Sequence, residues 1–276
     1  MSERASGTPT TTRAPAEPLA RRPARRVRVA IDGPAGAGKS TVARGLANRL
    51  GYVLLDTGAL YRTVALAAQR AGADWGDADA IGRLAHGLVE EDAIAVEASD
   101  SAPTSIAPGL SPAMVGTLTA RGGSGMRVFL AGEDVSVLIR TPEMSNGASR
   151  VSAIPAVRAA LLAMQRRAGS EGGVVLEGRD IGTVVLPDAE AKFFLTASPE
   201  VRARRRFDEL TTAGKTVTFE ATLADVMARD RADTERPVAP LRRAEDALLV
   251  DSGGRAIDEV IEEMARVVEE RAGIGV

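Results

Sequence analysis

Residues 27–50 read VRVAIDGPAGAGKSTVARGLANRL, and this stretch decides the fold. Its beginning, Val27 to Asp32, is a β-branched run typical of a buried parallel strand. A glycine-rich segment follows, with the pattern G-x-x-x-x-G-K-[ST] from Gly33 to Ser40. Beyond it, apolar residues recur at helical spacing, at Val42, Leu46 and Leu50. The sequence therefore predicts a strand, a glycine-rich loop and a helix in this order.

This segment has the features of a phosphate-binding loop. Glycines let the backbone curl so that successive N–H groups point at phosphate oxygens, and the helix N-terminus adds partial positive charge. Lys39 would reach the β- and γ-phosphates of a nucleoside triphosphate, and the Ser40 hydroxyl would take one Mg²⁺ position. A simple turn does not need this lysine and serine. The residues predicted to bind the triphosphate are Gly33, Pro34, Ala35, Gly36, Ala37, Gly38, Lys39, Ser40 and Thr41.

The composition argues against several classes of function. The 276 residues include no cysteine and a single histidine, His86, which excludes disulfides and thiolate metal sites and disfavours a Ser-His relay. Aromatic residues make up only 3%, too few for a base-stacking module, and the net charge of −2 gives no general attraction to nucleic acid or an anionic membrane. We expect small-molecule substrates and neither a nucleic acid nor a membrane as partner.

The N-terminal residues 1–26 are rich in Thr, Pro, Ala and Arg and lack the apolar segment of a signal peptide. No apolar run in the sequence approaches the length of a transmembrane helix. We therefore expect a disordered tail on a cytoplasmic protein.

The alternation of strands and helices predicts an α/β protein of the P-loop NTPase fold, with a central parallel β-sheet and helices on both faces. Further strands are predicted at 53–55, 174–177, 192–195 and 248–251. Helices are predicted at 59–71, 74–88, 156–168, 198–213, 219–232 and 256–272. Ser198 and Pro199 give a helix start, with Ser as the N-cap.

Residues 93–141 differ in character and predict a small antiparallel β insertion. Its strands are expected at 93–97, 126–130 and 135–139, with a turn at Gly132–Asp134, and residues 98–125 are expected to form a flexible loop. The expected organisation is a tail at 1–26, a kinase core at 27–92 and 142–276 with a lid at about 198–236, and the insertion at 93–141.

Arginines lie in turn-like contexts at the ends of predicted strands. Asp56 to Arg62 ends one strand and opens a helix, and Glu177 to Asp180 ends another. Ligands bind at the carboxyl ends of open parallel sheets, and the planar fork of arginine suits a phosphate. The sequence therefore predicts a second anionic ligand opposite the loop.

Six motifs, in this order, resemble those of bacterial cytidylate kinases, a family of P-loop nucleoside monophosphate kinases. They are Asp32 to Thr41, Leu55 to Arg62, Gly132 to Val135, Ile139 to Thr141, Glu177 to Val185, and Arg229–Asp230 with Asp233 and Arg236. The resemblance runs from about Val27 to the C-terminal helix. It implies transfer of a phosphoryl group from ATP to CMP or dCMP with Mg²⁺, giving ADP and CDP or dCDP, and a monomer by default.

The resemblance also implies roles for single residues. Catalytic roles fall to Lys39, Arg179, Arg229 and Arg236. Residues implied to bind CMP are Thr57, Tyr61, Arg62, Ser149, Arg158, Arg179, Asp180, Arg229 and Asp233. Among these, Ser149, Arg158 and Asp180 would read the cytosine edge, Tyr61 would pack on the sugar, and Arg62 and Arg179 would hold the phosphate. The β insertion would belong to the monophosphate-binding region.

A phosphate oxygen of CMP is already ionised near pH 7, so the predicted transfer needs no general base and depends on positioning and charge stabilisation. The run Arg202–Arg206 is expected to act in the lid, although one helix cannot aim all of these side chains at one site.

Two alternatives stay open at this stage. One is a P-loop kinase for a different acceptor, and the other is a non-enzymatic nucleotide-binding regulator. The sequence has no Asn-Lys-x-Asp motif of a GTPase switch.

Overall fold

The computed structural model describes residues 26–97 and 126–273. The predicted tail and the predicted loop at 98–125 lie outside the described residues. The described strands are β1 Arg28–Asp32, β2 Val53–Asp56, β3 Ile94–Glu97, β4 Arg127–Leu130, β5 Glu133–Asp134, β6 Val174–Glu177, β7 Ala191–Thr196 and β8 Leu248–Asp251. The described helices are α1 Lys39–Leu50, α2 Thr57–Arg70, α3 Ala78–Glu90, α4 Pro142–Val151, α5 Pro155–Ala168, α6 Pro199–Thr212, α7 Phe219–Glu235 and α8 Ile257–Arg271.

Five of these strands form one parallel sheet in the order β2-β6-β1-β7-β8. From β1 the chain builds β2 and β6 on one side, and later β7 and β8 on the other. The carboxyl end of β1 is therefore the switch point of the sheet, where open α/β sheets bind their ligands. The central parallel sheet predicted from the sequence is confirmed.

Helices cover both faces of this sheet. Alternate residues of β1 belong to different cores: Val29 and Ile31 pack with residues of α1 and α8, whereas Ala30 packs with residues of α2, α3 and α5. This alternation is what a strand buried on both faces requires, because successive side chains point in opposite directions. Among the described helices, none combines the length and the apolar character that a membrane crossing demands.

Local signals account for several helix starts. Ser198 accepts a hydrogen bond from the N–H of Val201 and Pro199 stands in the first turn, so the predicted N-cap is confirmed. Asp56 caps α2 in the same way, accepting from the N–H of Ala59 at 3.2 Å.

The analysis of the sequence missed helix α4, Pro142–Val151. Its signal is present in the sequence, because the Thr141 hydroxyl accepts from the N–H of Met144 at 3.1 Å and Pro142 occupies the first turn.

The small sheet β3-β4-β5 is antiparallel, as predicted, but its last strand was placed wrongly. The strand is Glu133–Asp134, within the expected turn, and a 3₁₀ turn at Leu138–Arg140 overlaps the end of the strand expected at 135–139. The Asp134 carboxylate accepts from the N–H of Ser136 at 3.0 Å, and the Ser136 hydroxyl accepts from the N–H of Val128 at 2.9 Å. The Ser136 hydroxyl thus takes the place of a backbone carbonyl as the acceptor for Val128 in the pairing of β4 with β5, and the strand ends there.

The fold predicts a large loss of stability for Gly33→Ala. Gly33 has φ +148°, and a Cβ there would lie 1.9 Å from the carbonyl oxygen of Leu195, which is fixed in β7. We expect the free energy of unfolding to fall by at least about 3 kcal/mol in urea denaturation.

Gly87→Ala in α3 is the matched control. No other heavy atom lies within 4 Å of the added Cβ among the described residues, and the backbone there is helical. We expect unchanged or slightly higher stability, by up to about 1 kcal/mol. Equal stabilities for the two variants would contradict the packing of the loop against β7.

Candidate active site

A cleft of about 1300 Å³ opens at the carboxyl end of β1. It brings together nearly all of the residues that the sequence analysis singled out. Those lining it are Ala35, Gly36, Ala37, Gly38, Lys39, Ser40, Thr41, Thr57, Tyr61, Arg62, Ser149, Arg158, Arg179, Asp180, Arg229, Asp233 and Arg236. Gly33 and Pro34 are buried behind the loop and do not reach the cleft wall.

Protein donors hold three carbonyl oxygens of the glycine-rich loop. Lys39 Nζ donates to Pro34 O at 2.8 Å, Arg202 Nη1 donates to Ala35 O at 3.1 Å, and Ser252 Oγ donates to Ala37 O at 2.8 Å. A loop whose carbonyls are bound on one side presents N–H groups to the other, as anion binding requires. Positive φ angles at Gly36 and Gly38 make this curl possible.

Two buried groups of opposite charge meet beneath the loop. Burial, aided by the charge of Arg179, lowers the pKa of Lys39 to about 7. Burial, aided by the charge of Asp56, raises the pKa of Glu177 to about 7. Glu177 Oε2 accepts from Ser40 Oγ at 3.0 Å, while Oε1 is buried and has no hydrogen-bond partner among the described residues. The loop end therefore holds a carboxylate oxygen ready for a cation or a proton.

The wall opposite the loop is rich in half-buried arginine. Arg179 Nε donates to Asp233 at 2.8 Å, and Asp233 is itself buried. Burial, reinforced by the nearby charge of Arg179, lowers the pKa of Arg229 to about 10. The Nε of Arg229 is buried without a hydrogen-bond partner in the part of the chain that the structure describes. This wall is thus short of negative charge, and an anion bound there would relieve the repulsion.

Arg62 extends this positive wall at the start of α2. It donates to the Asp56 carboxylate at 2.6 Å, and its buried Nε has no hydrogen-bond partner within the described ranges. Thr57 lines the same corner, but its hydroxyl donates to the backbone carbonyl of Glu177 at 2.8 Å. Thr57 therefore fixes the end of β6 relative to α2 in this state.

Asp180 is the centre of a third group of side chains. It is buried, accepts from Arg158 Nη2, and lies 3.8 Å from Arg236 Nη2. The guanidinium of Arg158 lies over the ring of Tyr61, 5.6 Å from its centroid. Two residues predicted to read a base, Arg158 and Asp180, are thus already paired, while Ser149 reaches the cleft from α4.

Asp32, for which no role was predicted, organises this region. Its two carboxylate oxygens accept from the N–H groups of Ile181 and Gly182, each at 2.7 Å. These residues begin a π-helical turn, Ile181–Val185, directly after Asp180. The signal in the sequence that could have indicated a role for Asp32 is its position at the end of β1, directly before Gly33 of the glycine-rich loop. Glu177 was also missed, although it ends a strand within a recognised motif.

The arginines of the basic run in α6 make different contacts. Arg202 is buried and bound to protein groups, Arg204 is exposed and lies over the rings of Phe207 and Phe219, and Arg205 donates to the carbonyl of Ser252 at 2.7 Å. The run therefore does not point as a whole into the cleft.

No cluster of three or more His, Cys, Asp or Glu side chains in the described part of the chain could hold a metal ion. His86 is exposed and pairs with Glu90 at 3.1 Å.

Comparisons with known proteins agree on one family. The model of the family described as cytidylate kinase matches residues 29–270. The chain is 49% identical over 247 residues to a cytidylate kinase of Geobacter sp. (strain M21), covering 90% of this chain and 94% of that one. It is 47% identical over 248 residues to a cytidylate kinase of Mycobacterium avium (strain 104), covering 89% and 96%.

We expect Glu177→Gln to raise the free energy of unfolding at high pH. The folded state raises the pKa of Glu177 from 4.5 to about 7, so wild-type stability falls as pH rises through this window, whereas glutamine cannot ionise. We expect a gain of up to about 3 kcal/mol in unfolding free energy at pH 8, vanishing near pH 4.5.

Glu190→Gln is the control of opposite sign. Burial acts to raise the pKa of Glu190, but hydrogen bonds from Arg28 outweigh it and lower the pKa to about 2. That variant should lose stability at pH 8 in the same urea titration. A Glu177→Gln protein that is less stable than wild type at pH 8 would show that burial does not dominate this site.

Proposed function

The chain belongs to the cytidylate kinase family and is a nucleoside monophosphate kinase, and we propose that it transfers the γ-phosphoryl group of ATP to CMP or dCMP. The products are then ADP and CDP or dCDP. The single observation that best supports this assignment is the wall of half-buried arginines opposite the glycine-rich loop, three of which hold a buried N–H group without a hydrogen-bond partner among the described residues. Two facing anion sites in one cleft suit a donor and an acceptor that both carry phosphate.

The donor triphosphate would bind to the glycine-rich loop. Its N–H groups and the N-terminus of α1 would receive the phosphates, with Lys39 at the β/γ bridge. In the structure Lys39 donates to Pro34 O, so it would exchange this carbonyl for a phosphate oxygen. A facing phosphate raises the pKa of a lysine, which would keep Lys39 charged when ATP is bound.

The monophosphate would bind to the arginine wall. Buried N–H groups of Arg62, Arg229 and Arg236 have no hydrogen-bond partner among the described residues. Arg179 is close enough for its charge to act on both Arg229 and Lys39 of the loop. These groups would hold the phosphate of CMP and neutralise the transferring group. Because the acceptor oxygen is already ionised, no proton has to be removed, and catalysis consists of alignment and charge stabilisation.

The base and sugar of CMP would lie beyond this phosphate. Asp180, Arg158 and Ser149 offer an acceptor, a donor and a hydroxyl, which is the polar pattern needed to read a cytosine edge. Tyr61 and Asp233 would contact the ribose. The pairing of Arg158 with Asp180 in the structure supports this proposal, because it preorganises both side chains.

The residues present fit a magnesium ion at the end of the loop. Ser40 supplies a hydroxyl, and Glu177 Oε1 is a buried carboxylate oxygen without a hydrogen-bond partner within the described ranges. Mg²⁺ needs few protein ligands when it also binds substrate phosphates. When bound, it would neutralise charge on the β- and γ-phosphates.

We also propose that α6 and α7, within residues 198–236, form a lid over the cleft. The two helices pack on each other and carry Arg206, Arg229 and Asp233. Closure would keep water from the γ-phosphate and limit ATP hydrolysis.

A panel of CMP, dCMP, UMP, AMP and shikimate, each tested with ATP and Mg²⁺, tests the function. We expect turnover with CMP and dCMP at least about tenfold above the others in kcat/KM, since buried polar groups left unpaired penalise the wrong base. Preferred turnover of AMP or shikimate would reject the assignment.

Asp180→Asn tests the base-reading role. It keeps the shape but presents a donor where the carboxylate accepts, so we expect kcat/KM for CMP relative to UMP to fall by about 10- to 100-fold. Asp188→Asn is the control, because Asp188 is exposed and pairs with Arg28 outside the cleft. An unchanged CMP-to-UMP ratio would remove Asp180 from the recognition of the base.

Ser40→Ala tests the metal site. We expect the Mg²⁺ concentration for half-maximal rate to rise by at least about tenfold. Ser170→Ala, at an exposed turn, is the control and should leave the titration unchanged. An unchanged Mg²⁺ titration for Ser40→Ala would contradict the assigned ligand.

A further inference from the structure

Arg202 is a charged side chain that is only 3% exposed, whereas Arg204 of the same run is exposed and Arg205 and Arg206 are half-buried. Its guanidinium donates to three different parts of the chain. Nε donates to Ala197 O at 2.9 Å, Nη1 donates to Ala35 O at 3.1 Å, and Nη1 and Nη2 bind both carboxylate oxygens of Asp230. Such a bidentate pair fixes the direction of the planar group as well as its position.

One end of this connection is the glycine-rich loop. Ala35 belongs to the loop, and a Cβ added to Gly36 would lie 3.2 Å from Arg202 Cβ, so loop and side chain are in direct contact. Any displacement of Arg202 therefore moves the part of the loop that would hold the donor phosphates.

The other end is helix α7, which carries the acceptor-side residues. Asp230 follows Arg229 directly and precedes Asp233 by less than one helical turn. Asp233 in turn holds Arg179 at 2.8 Å. A single guanidinium thus joins the loop to the helix that supplies Arg229 and ends at its C-cap Arg236, both of the arginine wall.

We propose that Arg202 is a positioning residue that fixes the glycine-rich loop relative to α7 and so aligns donor and acceptor phosphates. This inference rests on the proposed phosphoryl transfer between them. A side chain that only braced α6 would not need to reach the loop carbonyl and the α7 carboxylate with the same group. The alignment role affects the transfer step, whereas a bracing role affects stability alone.

Arg202→Lys keeps the charge but loses the fork. We expect kcat to fall about 10- to 100-fold, since a small misplacement of reacting groups has costs of this size. The Kd of ATP and the Kd of CMP, each measured alone by calorimetry, should change by less than about threefold, because the loop and the arginine wall each keep their own contacts.

Arg204→Lys is the matched control, since Arg204 lies on the same helix, is exposed and does not line the cleft. It should leave kcat and both Kd values unchanged. The proposal is overturned if Arg202→Lys keeps kcat and lowers only the melting temperature. It is also overturned if the Kd of ATP rises by the whole factor lost in kcat/KM.

Asp230→Asn addresses the same link from the other end and serves if Arg202→Lys does not fold. It should lower kcat to a similar extent, and the double variant should be no worse than either single one, because both act through one contact. Additive losses would overturn the proposal. Wild-type protein that fails to phosphorylate CMP would reject the proposed function alone. The same single and double variants are then compared in the rate with the acceptor that the wild type does phosphorylate, where additive losses again overturn the proposal.

Discussion

The carboxylate of Asp32 joins the two halves of the cleft. It ends β1, directly before the glycine-rich loop, and its two oxygens hold the N–H groups that follow Arg179 and Asp180. The group is buried, and burial raises its pKa to about 6 in spite of these two hydrogen bonds. A buried carboxylate of this kind is destabilising unless it is satisfied, so the turn Ile181–Val185 has to stay where the strand end needs it. This contact fixes the segment that carries Arg179 and Asp180 relative to the start of the glycine-rich loop.

The cleft stores electrostatic strain that its ligands would relieve. Lys39 and Arg229 both have pKa values lowered by burial, and Glu177 has a pKa raised by burial. Burial disfavours the charged form of each group relative to water, and all three groups line the same cleft of about 1300 Å³. Phosphates bound at Lys39 and Arg229, and a cation bound at Glu177, would meet preorganised groups and bind with little rearrangement. Burying the Glu177 carboxyl lowers the stability of the folded protein above the ordinary pKa of a glutamate, and this local cost favours ligand binding.

The sequence was informative where structure depends on neighbours along the chain. The strand, loop and helix of residues 27–50, the capping by Ser198 and the parallel sheet all follow from local patterns. Prediction from the sequence failed where the role of a residue depends on a partner that is distant along the chain. Arg202 was expected only to act in the lid with the rest of its run, because its partner Ala35 lies 167 residues away in the sequence. Asp32 likewise accepts from residues 149 and 150 positions further along the chain. The strand predicted at 135–139 was wrong for a different reason. The Ser136 hydroxyl accepts the hydrogen bond that a backbone carbonyl would accept in a continued strand, and the alternation of apolar residues does not reveal this.

The small sheet has a consequence for the architecture of the chain. Glu97 and Arg127 are paired across β3 and β4, so the segment between them leaves and returns at one point. For a flexible insertion at this junction, the entropy of closure would grow only with the logarithm of its length, so a doubling would cost about 0.6 kcal/mol. A sensor or an affinity module could therefore be grafted between β3 and β4 without a change in the five-stranded sheet, which shares none of the described strands with the small sheet.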